Sequence, residues 1–347
     1  MTLPSDRIRS ASMLDVAERA GVSGQTVSRV ANNMGNVAKD TRERVERAMA
    51  ELGYRPNIAA RALRLGAFRS IAVVTFDVET LGNVRTISAI ANEAARRNYA
   101  VELIQIQSDG KEAGAADFSW AMQRLGQEAV DGIILILETT DATAAALGIP
   151  DNLPVVIVDA NAGPQYPSVD ANQRQGAELA VNHLLELGHS TVWHVAGPEV
   201  SNAATARRHA WEGLLKTSGR DVPPVLVGDW TPESGYRAGL QLVDTPGVSA
   251  VFVANDQMAL GVLRAFHEKG VAVPEQVSVV GFDDMAESAQ FWPPLTTVHQ
   301  HFELAGSTAV SLLVDEIEGR DVTAGVRRIE TELVVRDSTG SPSLASH

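Results

Sequence analysis

Residues 16–30 of the chain read VAERAGVSGQTVSRV, and this stretch decides the fold of the amino-terminal region. Its apolar residues recur at the spacing of two short helices that share one interior, and Gly21 permits a sharp turn between them. An ordinary helical hairpin with a solvated face would also fit the apolar spacing. Because the turn glycine, the small Ala17 and a polar second helix occur together, the pattern favours a helix-turn-helix, whose second helix enters the DNA major groove.

The residues around this stretch predict further short helices. Ser12 and Ser23 are suitable N-caps for the first two helices, and Gly53 is a common residue at a helix end. After Arg55-Pro56, the chain has the composition of one or two helical turns, too short to be stable alone in water. The predicted helices are residues 13–20, a second from Ser23 to about Asn32, residues 41–52 and the short segment 57–65.

Charge divides the chain into two parts. Residues 1–66 hold 11 Lys and Arg against 7 Asp and Glu, a net charge of +4, whereas the remainder holds 18 against 36, a net charge of −18. A small basic region joined to a large acidic one predicts a polyanion-binding module attached to a module with another task.

From Arg69 onward, short β-rich runs alternate with helical segments, which is typical of βαβ units and parallel sheets. Among these segments we predict helices over residues 113–127, 140–147 and 232–243, a strand over 250–253 and a closing element over 328–335. About 270 residues of this pattern exceed one sheet, so we expect two sub-domains. The predicted fold class is α/β: a helix-turn-helix domain with a hinge helix, then a two-lobed body resembling periplasmic binding proteins. The predicted domains are 1–56 (DNA-binding), 57–66 (hinge helix), 67–338 (effector-binding and dimerisation) and 339–347 (disordered tail).

Composition excludes several classes of function. The 347-residue chain has no cysteine, which excludes disulfides, thiolate metal sites and thiol nucleophiles. Residues 1–12 have no hydrophobic signal core, and no apolar run could cross a bilayer, so we expect a soluble, cytoplasmic protein without membrane contact. No phosphate-binding loop, dinucleotide fingerprint or hydrolase elbow is present. We therefore predict no catalysis, no cofactor and no metal; His299 and His301 share a strand face but lack a third ligand nearby.

Several strings in the chain resemble the lactose/galactose (LacI/GalR-type) repressor family. They begin with residues 15–17 (DVA) and continue through the helix-turn-helix into the segment that follows it. The resemblance extends to about residue 336 and implies a ligand-controlled transcriptional repressor that binds DNA as a dimer. The other strings are residues 20–23 (AGVS), 26–30 (TVSRV), 32–33 (NN), 41–45 (TRERV) and 51–57 (ELGYRPN).

The resemblance implies which residues contact DNA. Gln25 and Arg29 fall at base-reading positions, side chains suited to adenine and to guanine or phosphate. Gly24 beside them departs from a tyrosine found in the family; it supplies no base contact and costs a helix about 1 kcal/mol, so the operator should differ at the matching base pair. Leu63 would wedge into a base step and kink the duplex, although a linker leucine could instead be buried. The implied phosphate or sugar contacts are Ser12, Ser23, Thr26, Ser28, Asn32 and Tyr54; Asn57, Ala60, Leu63 and Arg64 belong to the hinge helix.

Polar residues that directly follow predicted strands mark a binding cleft between two α/β lobes. Asp159, Asn255 and Asp283 end such strands, and carboxylates and amides suit sugar hydroxyls. The flat rings of Trp230 and Trp292 suit a sugar face. Asp256 is interpreted instead as a helix N-cap.

The family resemblance implies a matching effector pocket and adds three residues to it. Residues 76–85 match the family poorly and should line one wall of this pocket. Arg207 would bridge Asp283 and Asn255, although it could also pair with a surface carboxylate, and Phe302 could equally belong to the core. The residues implied for the pocket are Asp159, Arg207, Trp230, Asn255, Asp283, Gln300 and Phe302. They predict a sugar effector, a galactoside or β-linked oligosaccharide. The alternatives are a corepressed regulator that responds to a purine or phosphorylated metabolite, and a sugar-binding transport protein.

Overall fold

The computed structural model describes residues 11–31, 34–54, 67–76, 78, 80–106, 125, 130–137, 153–160 and 165–342. These residues form two compact units, one up to Phe68 and one from Arg69 onward. The predicted hinge helix (57–66) and the helices predicted over residues 113–127, apart from Leu125, and 140–147 lie outside the described residues.

The amino-terminal unit contains three helices, α1 (Met13–Ala20), α2 (Gly24–Ala31) and α3 (Lys39–Leu52). Ser12 and Asp15 form a capping box: the Asp15 amide donates to Ser12 Oγ over 3.2 Å and the Ser12 amide donates to Asp15 Oδ2 over 2.7 Å. Gly21 turns the chain with a φ of 64°, a conformation that costs a residue with a side chain more than it costs glycine. The three helices bury one small core, comprising Val16, Ala17, Ala20, Val27, Val30, Val45 and Ala48.

The carboxy-terminal unit contains two six-stranded sheets. The strands of sheet one are β1 (Ser70–Thr75), β2 (Ala100–Gln105), β3 (Gly132–Ile136), β4 (Val155–Val158), β5 (Pro167–Ala171) and β11 (Gly325–Ile329). Those of sheet two are β6 (Trp193–Ala196), β7 (Leu226–Val227), β8 (Ala250–Val253), β9 (Ser278–Asp283), β10 (Thr296–Gln300) and β12 (Thr331–Val334). Sheet one is wholly parallel, with strand order β11-β5-β4-β3-β1-β2. Sheet two has the order β12-β10-β9-β8-β6-β7 and is parallel except for β12.

Helices cover both sheets, which is why β3, β4 and β8 are buried along their whole length. Sheet one with α4 (Leu81–Arg96) and α9 (Phe302–Ile317) forms lobe one; these two helices pack against each other and α9 lies on β3, β4 and β5. Lobe two consists of sheet two with α5 (Gln173–Glu186), α6 (Asn202–Thr217), α7 (Pro232–Val243) and α8 (Asp256–Glu268). No helix among the described residues is long and apolar enough to span a membrane.

The chain crosses between the lobes three times, at Asn172, at His301 and at Glu330. Hydrogen bonds join the first and third crossings: the Asn172 amide donates to the Ile329 carbonyl over 2.8 Å, and the Thr331 amide donates to Gln175 Oε1 over 2.9 Å. The fold class is therefore as predicted, with the lobes connected by a triple crossing.

Three local predictions are corrected. Strand β5 was not predicted, and residues 328–335, expected as one closing element, are divided at Glu330 between β11 in sheet one and β12 in sheet two. The disordered tail predicted from residue 339 is wrong for residues 339–342. Ser338 is fully buried, and the Gly340 amide donates to Ser278 Oγ over 3.0 Å.

Candidate functional site

The second helix of the amino-terminal unit presents polar side chains on its outer face. Gln25 and Arg29 are exposed, Gly24, Thr26 and Ser28 are half-buried, and Val27 and Val30 point into the core. Ser23 caps this helix, since the Thr26 amide donates to its Oγ over 3.2 Å. Exposed Ser12 is the N-cap of α1, and half-buried Tyr54 packs against the core of the unit. The predicted DNA-contact residues Asn32, Asn57, Ala60, Leu63 and Arg64 lie outside the described residues.

The strand ends of both sheets meet at one cleft in the carboxy-terminal unit. Asp159 follows β4, and Asp283 ends β9. Asp159, Trp230, Asp283 and Asp284 have φ values of 62°, 71°, 110° and 49°, in the left-handed region that residues with side chains seldom adopt. Such strain is maintained only where the surroundings enforce it, and it concentrates at binding sites.

A cluster of buried polar side chains lies in lobe two at this cleft. Arg207 is 4 % exposed, so it does not pair with a surface carboxylate; its Nε donates to Gln173 Oε1 over 2.8 Å and its Nη1 to the Ala254 carbonyl. Its Nη2 lies 3.9 Å from Asp283 Oδ1, which also accepts a hydrogen bond from Gln300 Nε2 over 2.7 Å. Burial raises the pKa of Asp283 to about 6, opposed chiefly by Arg207.

Asn255, not Asp256, is the N-cap of α8. Its Oδ1 accepts from the Met258 amide over 2.8 Å, and its Nδ2 donates to the Trp230 carbonyl over 3.1 Å. The N-cap interpretation of Asp256 is therefore wrong. Asp256 is the first helical residue and is fully buried; burial, and then the charge of Asp283, raise its pKa to about 7. Its carboxylate accepts hydrogen bonds from the Ser288 hydroxyl (2.6 Å), the Thr297 hydroxyl (2.5 Å) and the Met285 amide (3.0 Å).

Two aromatic rings border the cleft. The Trp230 indole lies flat against Gly197, where an added Cβ would come within 2.3 Å of the ring, so this close approach requires glycine. The Arg207 guanidinium carbon lies 5.5 Å from the Trp230 ring centre. Phe302 packs beside Gly82 of lobe one, and Arg85 lies 4.9 Å above its ring. Phe302 therefore belongs both to the packed interior and to the pocket wall.

The structure brings seven of the predicted effector residues to one pocket: Asp159, Arg207, Trp230, Asn255, Asp283, Gln300 and Phe302. Trp292, also predicted for the effector pocket, lies outside it. It is 88 % exposed and lines a separate groove with Pro293, Leu263 and His267. It follows the 3-10 helix Ala286–Gln290, which leads the chain away from the strand end at Asp283.

Comparison with known proteins identifies both parts of the chain. Residues 12–57 match bacterial regulatory proteins of the lacI family, and residues 181–339 match a periplasmic binding protein-like domain. The lactose operon repressor of Escherichia coli (strain K12) is 35 % identical over 97 % of this chain and 92 % of its own length. The chain belongs to the LacI family. The sequences of residues 253–261 (VANDQMALG) and 293–297 (PPLTT) resemble those of the lactose repressor.

Other LacI-family relatives extend over almost the whole chain. The repressor PurR of Haemophilus influenzae (strain PittEE) is 32 % identical, covering 95 % of this chain and 99 % of its own. The lac repressor dimer bound to operator and the anti-inducer ONPF has a TM-score of 0.85 at 34 % identity, covering 96 % of this chain and 100 % of that one. The complex of the regulator CelR with cellobiose has a TM-score of 0.69 at 30 % identity, covering 94 % and 99 %. Each of these relatives is a repressor or a transcriptional regulator.

Sequence reasoning missed several pocket residues of this LacI-family chain. It placed residues 76–85 along one wall without choosing among them, and the structure selects 80–83. Gln173 and Ser201 had no motif to mark them; their signal is that each stands at the start of a helix that follows a strand end or loop at the cleft. The pocket residues that were not named individually are Thr80, Leu81, Gly82, Asn83, Gln173, Ser201, Ala203 and Gln257.

Histidines do not form a metal site in the part of the chain that the structure describes. His299 Nδ1 lies 2.9 Å from Asp284 Oδ2, and His301 Nε2 lies 3.4 Å from Glu332 Oε1. Among the described residues, no group of three or more His, Asp or Glu is placed to hold a metal ion. These contacts make both histidines ordinary members of polar pairs.

Proposed function

We propose that this LacI-family repressor binds a pseudo-palindromic operator as a homodimer and is released from it by an uncharged sugar, a galactoside or β-linked oligosaccharide. A two-fold symmetric dimer reads two half-sites, and the symmetry of the operator follows from that of the protein. The sugar acts because its affinity differs between two orientations of the lobes, which shifts their populations.

The observation that carries the choice of effector is the polar character of the pocket. Carboxylates and amides from both lobes accompany the flat ring of Trp230, an arrangement that suits hydroxyl groups and a sugar face. Arg207 is already engaged by Gln173, the Ala254 carbonyl and Asp283, so it offers little to an anionic ligand. In this proposal Asp283 and Asn255 hold hydroxyl groups, Arg207 orients Asp283, and Trp230 stacks on the ring of the sugar.

On the DNA side, the proposal assigns base reading to Gln25 and Arg29. Their exposure on the outer face of α2 supports this role. The phosphate contacts are assigned to Ser12, Ser23, Thr26, Ser28, Asn32 and Tyr54. Asn57, Ala60, Leu63 and Arg64 are assigned to the minor groove, and the kink that Leu63 makes widens the contact.

Two substitutions test whether DNA reading and ligand sensing are separate. Arg29→Ala should abolish specific operator binding and leave sugar affinity unchanged, whereas Asp283→Ala should abolish the sugar response and leave operator binding intact. Gel-shift titrations at several salt concentrations measure the first property and calorimetry the second. Arg44→Ala, which removes a charge from exposed α3 in the same unit, is the matched control. If each substitution in a folded protein damaged both properties equally, the separation would be wrong.

The effector itself is found by a thermal-shift screen of sugars, nucleobases and phosphorylated metabolites. A ligand at about 100 times its Kd adds roughly 2.7 kcal/mol to the native state. Stabilisation by one sugar, followed by release of operator on its addition, is the expected result. The second candidate is a purine or phosphorylated metabolite that acts as a corepressor. A purine that stabilised the protein and strengthened operator binding would replace the sugar and reverse the sign of regulation.

A further inference from the structure

Two glutamine side chains connect Arg207 to Asp283 by three hydrogen bonds in series. Arg207 Nε donates to Gln173 Oε1 over 2.8 Å, Gln173 Nε2 donates to Gln300 Oε1 over 3.0 Å, and Gln300 Nε2 donates to Asp283 Oδ1 over 2.7 Å. All four side chains are buried, with exposed fractions between 3 % and 7 %. We call this series the amide relay.

The direction of the amide relay is fixed by Arg207. A guanidinium group only donates hydrogen bonds, so Gln173 must turn its oxygen toward Arg207 and its NH₂ group toward Gln300. Gln300 must then accept with its oxygen and donate from its NH₂ group to Asp283. Asp283 is thereby held as an acceptor at Oδ1, and its Oδ2 has no hydrogen-bond partner among the described residues.

We propose that Gln173 is a positioning and specificity-determining residue of the effector pocket, because it sets the direction of the amide relay. With Asp283 held as an acceptor, the pocket selects a ligand that donates hydrogen bonds, such as a hydroxyl group, and rejects phosphate and carboxylate groups. This inference rests on the proposed function to the extent that the effector binds in this pocket.

The amide relay also joins two of the three crossings between the lobes. Gln173 directly follows the crossing at Asn172, and Gln300 directly precedes the crossing at His301. Gln175, two residues farther along α5, bonds instead to Thr331 just beyond the third crossing. Gln173 therefore belongs to the amide relay and also stands beside one of the crossings between the lobes.

Gln173→Glu tests the direction of the amide relay without any ligand. A glutamate at this position still accepts from Arg207 but cannot donate to Gln300, so Gln300 must turn its NH₂ group toward residue 173 and its oxygen toward Asp283. At about pH 8 the Gln300 oxygen and the Asp283 carboxylate, both hydrogen-bond acceptors, then face each other. At about pH 5.5 a protonated carboxyl group, at residue 173 or at Asp283, supplies the missing hydrogen. We expect Gln173→Glu to lower Tm by at least about 2 °C more at the higher pH.

Other charged groups lie near Asp283 and affect its protonation, so they are kept unchanged in every variant that is compared. Arg207 and Arg85 approach it from α6 and α4, and Asp256 interacts with it from the start of α8. Asp159 and Asp170 act on Arg207. Gln175→Glu is the matched control, because it adds the same charge to the same helix while retaining the acceptor for Thr331; its Tm change should be equal at the two pH values.

Asp283→Asn supplies an independent rescue. An asparagine can donate to the turned oxygen of Gln300, so adding Gln173→Glu to Asp283→Asn should lower Tm less than adding it to the wild-type chain. If Gln173→Glu alone did not fold, recovery of folded protein in the double variant would be the expected result. Equal losses in both backgrounds, or no recovery, would overturn the proposal.

Ligand selectivity is measured by thermal shift with D-galactose, cellobiose and glucose 6-phosphate. The expected pattern is stabilisation of the wild-type and Gln175→Glu proteins by a neutral sugar, a loss of about tenfold or more in its affinity for Gln173→Glu, and no response to the phosphate. Stabilisation by glucose 6-phosphate, or unchanged sugar affinity in Gln173→Glu, would contradict the proposal. If no sugar bound, the proposed function would fail, and the ligand-free pH comparison and the rescue would still decide the direction of the relay.

Discussion

His194 is a titratable side chain enclosed in an apolar interior. Its ring stacks on Phe252 with centres 4.7 Å apart, and its Nδ1 lies 2.9 Å from the Phe252 carbonyl oxygen. Its Nε2 has no hydrogen-bond partner among the described residues. Burial lowers its pKa from 6.5 to about 4. The native state therefore opposes protonation of this ring.

We predict that His194 makes the protein sensitive to acid. Because the pKa of His194 is lower in the folded state, the stability that its neutral ring contributes to the folded state is fully present above pH 6.5. This stability is lost as pH falls toward 4, by about 3 kcal/mol in all. His194→Phe should remove this loss, measured as the difference between the variant and wild-type unfolding free energies across pH. Exposed His209→Phe is the control and should leave the pH profile unchanged. The difference is needed because Asp256 and Asp283, with raised pKa values, contribute with the opposite sign.

Single residues differed in how well the sequence revealed them. Asp159 and Asp283 could be found because strand ends of parallel sheets meet at one edge, and Arg207 and Gln300 because of the family resemblance. Gln173 could not be found, since a glutamine at a helix start is ordinarily solvated and its role arises only where two crossings meet. Trp292 was misplaced because an aromatic ring beside two prolines says nothing about the direction in which the loop leaves the cleft.

At the scale of elements, two glycines near the start of α2 should respond in opposite ways. Nothing lies within 4 Å of a Cβ added at Gly24, so Gly24→Ala should stabilise the helix by up to about 1 kcal/mol. Gly21 has a φ of 64°, so Gly21→Ala should destabilise the turn by about 1 kcal/mol or more. Hydrogen exchange of the α2 amides in the full chain measures both. Changes of the same sign would contradict this reading of the turn.

The segment after β12 should contribute to the stability of lobe two. Ser338 Oγ donates to the Val279 carbonyl over 2.6 Å and accepts from the Thr296 amide over 2.7 Å. Ser338→Ala would leave both buried groups without this partner and should lower the free energy of unfolding by about 1–3 kcal/mol. Exposed Ser341→Ala is the control in denaturant titrations. If the two substitutions lowered the free energy of unfolding equally, the hydrogen bonds of Ser338 would not stabilise sheet two.

Elements with strong periodic patterns were predictable, and elements defined by pairing partners were not. Helix α7 and strand β8 have the predicted bounds, because apolar spacing and flanking turn residues mark both ends. Residues 328–335 look like one strand because both halves favour extended backbone. Only pairing of β11 with β5 and of β12 with β10 divides them, and pairing between distant segments is not encoded locally.

At the scale of the whole molecule, the two parts of the chain should respond to salt in opposite directions. Raising NaCl from about 50 to 200 mM should weaken operator binding by about tenfold or more, because phosphate contacts release counterions. The same change should raise the Tm of the acidic body, whose net charge of −18 repels itself less when screened. Gel shifts and calorimetry measure the two effects. If operator affinity and the Tm of the body both fell as NaCl was raised, charge would not separate the two parts.

A single residue, His301, separates Gln300, in sheet two, from Phe302, the first residue of the long helix packed on lobe one. Both side chains line the pocket. A molecule bound there would contact the residues on both sides of His301 and restrict the backbone torsion angles between them. These torsion angles would then differ between the occupied and the empty pocket. Because His301 leads directly into α9, a 16-residue helix about 24 Å long, a change in those angles would reorient the whole helix.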